Sequence, residues 1–141
     1  MKRYIALDIG RKRTGIAVTD TNRIIAGALD TVDTSKLELY LKEYIQKNEV
    51  EKIIVGMPVQ LNNLPSDSVK YIEPVLNRLK NVFKEIEFVL VDERFTSKIA
   101  FQTMIDAGLG KMKRQNKATV DKISATIILQ SFLDSEKFIN L

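Results

Sequence analysis

Apolar and polar positions along the first thirty residues follow the patterns typical of β-strands. Residues 4–9 form a short apolar run, residues 14–19 alternate between apolar and polar side chains, and residues 24–29 follow a turn at 20–22. Because the three runs lie close together in the sequence, they predict an antiparallel meander of three strands.

The rest of the chain alternates between helical and strand patterns. The first predicted element is a helix with a capping box formed by Ser35 and Glu38, followed by a strand at 52–55 that ends at Gly56-Met57-Pro58. A helix with apolar residues from Val69 to Phe83 and a strand at 87–91 come next. The last two elements are a helix from Thr96 or Ser97 to Ala107 and a helix that begins near Thr119. Pro74 marks either a kink or the true start of its helix. A meander followed by strand–helix alternation predicts an α/β fold with a five-stranded mixed sheet, in which later strands are parallel and helices flank the sheet.

Length and composition limit the possible functions. The 141 residues fit a single domain, 1–141, and the 45% hydrophobic fraction can form a conventional core. The chain has no cysteine and no histidine, which excludes disulfides, thiolate or histidine-ligated zinc, and histidine-based catalytic triads. No apolar run approaches the roughly 18 residues of a membrane span, and the first residues have no signal-peptide pattern. We therefore expect a cytoplasmic protein with no membrane partner.

Three separated carboxylates are the main chemical feature. Asp8 ends the first predicted strand, Glu93 follows the fifth, and Asp121 begins the last helix. Asp92 and Glu93 point to opposite sides of a strand, and we favour Glu93 as the member that enters a site. Oxygen ligands brought together at one edge of a sheet are suited to Mg²⁺ or Mn²⁺. The acids are therefore candidate ligands for one or two such ions and candidate catalytic residues.

Basic residues cluster beside two of these acids. The net charge is only +4, but residues 1–20 carry five basic and two acidic side chains, and residues 108–122 carry five basic and one acidic. Such clustering is typical of proteins that bind polyanions. The candidate nucleic-acid-binding residues are Arg11, Lys12, Arg13, Lys111, Lys113, Arg114 and Lys117. A metal site among basic residues indicates a nuclease.

Four motifs in order extend this picture to a family resemblance. They are Asp8-x-Gly10 with Lys12-Arg13-x-Gly15, then Gly56-x-Pro58, then Asp92-Glu93-Arg94-x-Thr96, then Val120-Asp121-x-x-Ser124-Ala125. With these motifs the chain resembles the YqgF family of bacterial RNase H-like nucleases, over about residues 4–132. The segment 59–67 departs from the pattern usual in that family, which leaves the role of that loop open.

The resemblance implies an RNase H-like fold and a metal-dependent phosphodiesterase whose carboxylates match Asp8, Glu93 and Asp121. It also implies a role in ribosome biogenesis, in which the enzyme processes the 5′ end of the 16S rRNA precursor, alone or within a pre-ribosomal particle.

Three other functions stay open. A resolvase of four-way DNA (Holliday) junctions needs two active sites, so a stable homodimer would favour it and a monomer would favour RNA processing. An actin-like ATPase or sugar kinase has a similar phosphate-binding hairpin, but 141 residues cannot supply its two domains. A non-catalytic module that binds rRNA or the ribosome would bind RNA without metal-dependent turnover.

Overall fold

The fold was analysed in a computed structural model that describes residues 2–20, 26–57, 69–92 and 124–133. Its elements, in chain order, are β1 (Arg3–Ile9), β2 (Arg13–Thr19), β3 (Ala26–Asp33), a 3₁₀ turn (Thr34–Lys36), α1 (Leu37–Lys47), β4 (Val50–Met57), α2 (Val69–Val82) and β5 (Glu87–Asp92), followed by a helical segment at 124–133.

The five strands form one mixed sheet in the order β3-β2-β1-β4-β5. Strands β1, β4 and β5 are parallel, and β2 pairs with β1 and β3 in the antiparallel sense. One edge of the sheet, which we call the carboxyl edge, therefore carries the ends of β1, β4 and β5 together with the start of β2 and the end of β3. Ligands of α/β sheets usually bind at this kind of edge. The predicted α/β fold and mixed sheet are confirmed.

Each face of the sheet has its own hydrophobic core, because successive strand residues point to opposite faces. On one face, which we call the α1/α2 face, Ile5, Leu7 and Ile9 pack with residues of α1 and α2. On the other face, which we call the C-terminal face, Tyr4 and Ala6 pack with residues of segment 124–133. The predicted apolar stripe of the first helix lies in the α1/α2 core, where Leu37 and Leu41 are fully buried.

Two local predictions are wrong. Ser35 and Glu38 do not form a capping box: Ser35 lies inside the 3₁₀ turn, and the α1 N-cap residue, Lys36, makes no side-chain capping bond. The Glu38 carboxylate instead accepts a 2.7 Å hydrogen bond from Arg78 of α2. The third strand continues to Asp33, past the predicted end at Leu29, and half of its residues are exposed, so apolar alternation does not mark its end. Residues 24 and 25 of the predicted strand lie outside the described residues.

One of two prolines considered in the sequence lies at the boundary of an element, and the other lies inside a helix. β4 ends at Met57, the residue before Pro58, as predicted. Pro74 lies inside α2, five residues after the first residue of that helix, so it does not mark the start. The predicted helix from Thr96 or Ser97 to Ala107 lies outside the described residues. Within the described part of the chain, no helix has the length and apolar content needed to cross a membrane.

Candidate active site at the carboxyl edge

Asp8 lies one residue before the end of β1 and is half-buried. The side chains of Tyr4 and Ala6 belong to the C-terminal face, and strand alternation assigns Asp8 to that same face. The carboxylate is therefore on the side of the sheet that segment 124–133 covers, close to the carboxyl edge.

Glycines flank Asp8 on both neighbouring strands. Gly15 of β2 is its direct partner across the antiparallel pair. On β4, Leu7 pairs with Val55, so Gly56 is the next residue in line with Asp8. Neither neighbouring strand therefore has a side chain beyond a hydrogen atom at the position beside the carboxylate.

The row that contains Asp8 continues onto β5. Gly56 pairs with Val91, and both Val89 and Val91 pack on the C-terminal face with Ala6. Glu93, two residues after Val91 in the sequence, lies outside the described residues, as does Asp121.

A tight turn follows β1 and carries three of the predicted nucleic-acid-binding residues. The Gly10 amide donates a 2.9 Å hydrogen bond to the carbonyl oxygen of Arg13, which closes the turn. A Cβ atom on Gly10 would lie 2.5 Å from that same oxygen, so the turn requires glycine there. Arg11 and Lys12 are exposed and Arg13 is half-buried, so the turn presents positive charge at the carboxyl edge.

A chain of hydroxyl groups fixes the turn from the α1/α2 face. The Thr34 hydroxyl, in the 3₁₀ turn, donates a 2.7 Å hydrogen bond to the Gly10 carbonyl. Its single hydrogen is then used, so the fully buried Thr14 hydroxyl, 3.0 Å away, must donate to the Thr34 oxygen. The Thr34 amide also donates a 2.9 Å hydrogen bond to the Lys12 carbonyl. Three hydrogen bonds thus connect the two ends of the turn to the segment before α1.

A second contact connects the turn to α2. The guanidinium carbon of Arg11 lies 5.5 Å from the ring centroid of Tyr71, within the range of a cation–π interaction. Tyr71 is half-buried and packs against the α1/α2 core. The side chain of Arg11 is therefore directed towards the first turn of α2.

An apolar cavity of about 280 Å³ lies beside this network, between the 3₁₀ turn and α2. Glu38 and Arg78 are among the residues that line it, and the hydrogen bond from Arg78 holds the pKa of the Glu38 carboxyl below its usual value. The Glu38 carboxylate is therefore ionised but already hydrogen-bonded to Arg78, which makes it an unsuitable metal ligand.

The described residues bring together four of the predicted site residues, Asp8, Arg11, Lys12 and Arg13. In the part of the chain that the structure describes, no group of three or more acidic, histidine or cysteine side chains forms a metal-binding cluster. The predicted triad with Glu93 and Asp121 stays a prediction, as do the contacts of Lys111, Lys113, Arg114 and Lys117, because these residues lie outside the described ranges.

Sequence reasoning missed the residues that support the turn. Thr34 was not distinguished from an ordinary residue before a helix, and Tyr71 was attributed to no site. The one available signal was position: Thr14 lies in an apolar strand, where a buried hydroxyl group needs a hydrogen-bond partner. That signal does not identify the partner, which lies twenty residues away in the sequence.

Comparisons with known proteins agree with this architecture. Residues 2–135 match the model of a family described as RuvX, Holliday junction resolvase. A protein of Bacteroides thetaiotaomicron named "Putative pre-16S rRNA nuclease" is 54% identical over 138 residues, which cover 98% of this chain and 100% of that protein. A protein of the same name from Flavobacterium johnsoniae is 49% identical over 138 residues, with the same shares of both chains.

Solved structures of resolvases have a similar fold. Thermus thermophilus RuvC in complex with a Holliday junction substrate superposes with a TM-score of 0.63 at 11% identity, over 98% of this chain and 97% of that one. The Fowlpox virus resolvase, in complex with Holliday junction DNA, gives a TM-score of 0.58 at 10% identity, over 95% and 98% of the two chains. At these identities the likeness supports the fold alone, and it agrees with the RNase H-like architecture implied by the sequence.

Proposed function

Because the chain belongs to the RuvX family, the family called YqgF above, we propose that it is a metal-dependent nuclease that processes the 5′ end of the 16S rRNA precursor. Close relatives over the full chain carry the name of a pre-16S rRNA nuclease, which supports phosphodiester hydrolysis as the reaction and precursor rRNA as the substrate. We also propose that residues 1–141 act as one domain in the cytoplasm.

The observation that carries the proposal is the position of Asp8. It is a half-buried carboxylate at the carboxyl edge, and the strands on both sides have glycine next to it. A carboxylate oxygen at this end of a sheet suits Mg²⁺ or Mn²⁺, which take oxygen ligands and are bound through one or two carboxylates. When bound, such an ion would stabilise negative charge on the phosphate and lower the pKa of a bound water.

Glu93 and Asp121 complete the proposed ligand set. Alternation along β5 supports Glu93, because Val89 and Val91 belong to the same face as Asp8 and residue 93 is the next in that series. The same alternation supports Glu93 over Asp92, because Asp92 directly follows Val91 and so falls between two positions of that face.

The direction of segment 124–133 supports Asp121. The Phe132 ring is 5.8 Å from the Tyr4 ring, near the start of β1, and Gln130 accepts a hydrogen bond from the Ala26 amide at the same end of the sheet. Ten helical residues rise about 15 Å, close to the roughly 13 Å between Tyr4 and Asp8 in a strand. A segment that follows β1 back towards the carboxyl edge would start level with Asp8, three residues after Asp121.

In this mechanism the protein side chains bind and orient. The carboxylates of Asp8, Glu93 and Asp121 would hold the ion or ions at a fixed place beside the scissile phosphate. The cations of the turn, Arg11 and Lys12, would contact phosphates of the RNA next to the cleaved bond and hold the strand in register. The chain contains no histidine to act as a general base. A bound ion that lowers the pKa of its water ligand would make such a base unnecessary.

Cleavage of a precursor 16S rRNA leader tests the proposal. We expect cleavage by the wild type with Mg²⁺ or Mn²⁺, and its loss with EDTA and in Asp8→Asn. Asp20→Asn is a matched control, because Asp20 follows the end of β2 at the opposite edge of the sheet and its loss should leave cleavage unchanged. Full activity of Asp8→Asn would contradict the mechanism. RNA binding by the wild type without turnover would indicate the non-catalytic rRNA-binding module instead.

Holliday junction resolution is the second candidate, favoured by the family description and by the fold shared with junction-binding resolvases. Cleavage of a four-way DNA junction by the same wild-type and Asp8→Asn proteins would test it. Sedimentation with and without the junction would determine whether a dimer, which symmetric cleavage needs, is formed.

A further inference from the structure

The carboxyl edge carries two lysines that are not among the nucleic-acid-binding residues predicted from the sequence. Lys36 ends the 3₁₀ turn, and Lys70 is the second residue of α2; both are exposed. Lys36 is two residues from Thr34, whose hydroxyl and amide bind the turn at Gly10 and Lys12. Lys70 precedes Tyr71, whose ring lies under the Arg11 guanidinium.

These contacts gather the cations of three separate segments around one turn. We call the set Arg11, Lys12, Arg13, Lys36 and Lys70 the basic strip. The acidic residue nearest to it along these segments is Glu38, two residues after Lys36, and its carboxylate accepts a hydrogen bond from Arg78. Asp33 lies opposite Arg13 in the β2–β3 register, and Asp8 and Glu73 are each three residues from a strip cation. With Glu38 paired to Arg78, the five strip cations outnumber these three acids.

We propose that the basic strip is a nucleic-acid contact surface, so that the RNA backbone crosses the carboxyl edge and continues over the 3₁₀ turn and the start of α2. The inference rests on the proposed nuclease function and specifies where the substrate lies. A single-stranded polyanion fits this surface because four of its five positive groups are exposed, they belong to separate segments, and the fixed turn holds those segments together at one end.

Rigidity is the second reason for assigning binding to this surface. The Thr14–Thr34–Gly10 hydrogen bonds and the Arg11–Tyr71 contact connect the turn to the segments that carry Lys36 and Lys70. The segments that carry the cations are therefore held in a fixed arrangement relative to Asp8, two residues before the turn. A substrate bound along the strip would have its register set with respect to the candidate catalytic carboxylate.

The test is RNA binding by charge-neutralised variants in the full chain. Lys36→Gln with Lys70→Gln removes two strip cations, and Lys47→Gln with Lys80→Gln is the matched control. Lys47 and Lys80 are exposed in the last turns of α1 and α2, so the control removes the same charge from the same helices at their other ends. The control lysines lie about 15 Å from the strip lysines along either helix, and this separation exceeds the screening length of about 8 Å at physiological salt.

Affinity for a fluorescent single-stranded RNA would be measured against salt in an Asp8→Asn background, so that the RNA stays intact. Each lost phosphate contact should reduce the slope of log K against log salt by about 0.7, so the strip variant should lose about 1.4. At about 0.15 M salt the same relation predicts binding weaker by roughly tenfold, while the control pair stays near the parent affinity.

Two results distinguish a failure of the strip proposal from a failure of the proposed nuclease function. Equal affinities and slopes for the strip and control variants, with metal-dependent cleavage by the wild type intact, would overturn the strip and leave the nuclease assignment standing. Absence of cleavage in the wild type would overturn the nuclease proposal; weaker binding by the strip variant than by the control would then support the strip as the RNA surface of a non-catalytic module.

Discussion

The hydroxyl chain that supports the turn gives a prediction whose size can be worked from the structure. In Thr34→Val, the Gly10 carbonyl loses its 2.7 Å donor, and the buried Thr14 hydroxyl loses its 3.0 Å acceptor. A typical hydrogen bond contributes about 0.5–1.5 kcal/mol net, and a buried hydroxyl without a partner costs about 1–3 kcal/mol. The Gly10 carbonyl is half-buried, so water can replace part of its loss. We expect the free energy of unfolding to fall by about 2–3 kcal/mol.

The partner substitution should cost less. In Thr14→Val the Thr34 hydroxyl keeps its hydrogen bond to the Gly10 carbonyl and loses only the hydrogen bond that Thr14 donates to it. We therefore expect the free energy of unfolding to fall by about 1 kcal/mol. In the double variant no buried hydroxyl is left unpaired, because both ends of the 3.0 Å contact are apolar. Its loss should therefore be about 2 kcal/mol, which is smaller than the sum of the single losses by about 1–2 kcal/mol.

Urea unfolding followed by circular dichroism measures all three variants at one temperature. Thr34→Ser serves as the control, since it keeps the hydroxyl group and should recover most of the lost free energy. Strict additivity of the two valine substitutions would refute the hydroxyl chain, because it would mean that the two side chains do not interact. The same variants also test the turn itself: Thr34→Val should weaken RNA binding, and Thr34→Ser should restore it.

Two more predictions concern the turn and its surroundings. Gly10→Ala should lower both stability and RNA affinity, because its Cβ atom would meet the Arg13 carbonyl oxygen at 2.5 Å; unchanged RNA affinity in a binding titration would contradict a role for the turn geometry. Burial, and then the nearby Asp30 carboxylate, raise the pKa of Tyr40 to about 12 from an ordinary value of 10.0. The folded state therefore holds this proton more tightly, so its contribution to stability is complete below pH 10 and is lost as the pH rises towards 12. Ultraviolet titration against Tyr40→Phe measures the transition, and Asp30→Asn should move it to lower pH; an unmoved transition would exclude the carboxylate as a cause.

Elements with strong apolar periodicity could be predicted from the sequence. The stripe of α1 and the end of β4 before Pro58 follow from local rules, since a helix must bury one face and proline cannot continue a strand ladder. The resemblance to the YqgF family, carried by short motifs, is confirmed by the family match over residues 2–135.

Features that depend on distant partners could not be predicted. The capping-box pattern at Ser35 and Glu38 is locally sound, but Glu38 bonds Arg78, forty residues away. Gly15 and Gly56 were visible as motif residues, and yet only the register of β1 with β2 and β4 identifies them as the neighbours of Asp8. The same holds for Thr34, whose role depends on a contact across the end of the sheet.

The sheet separates the two proposed tasks of the site onto its opposite faces. Asp8 belongs to the face covered by segment 124–133, whereas Thr34 and Tyr71 belong to the α1/α2 side. The turn at 10–13 is the covalent link between them. A substrate that lay along the proposed strip and extended to Asp8 would cross that turn, and an error of about 1 Å in reacting geometry can cost roughly a hundredfold in rate. Selection for a rigid turn therefore explains why a buried hydroxyl group, costly if unpaired, is placed inside an apolar core beside it.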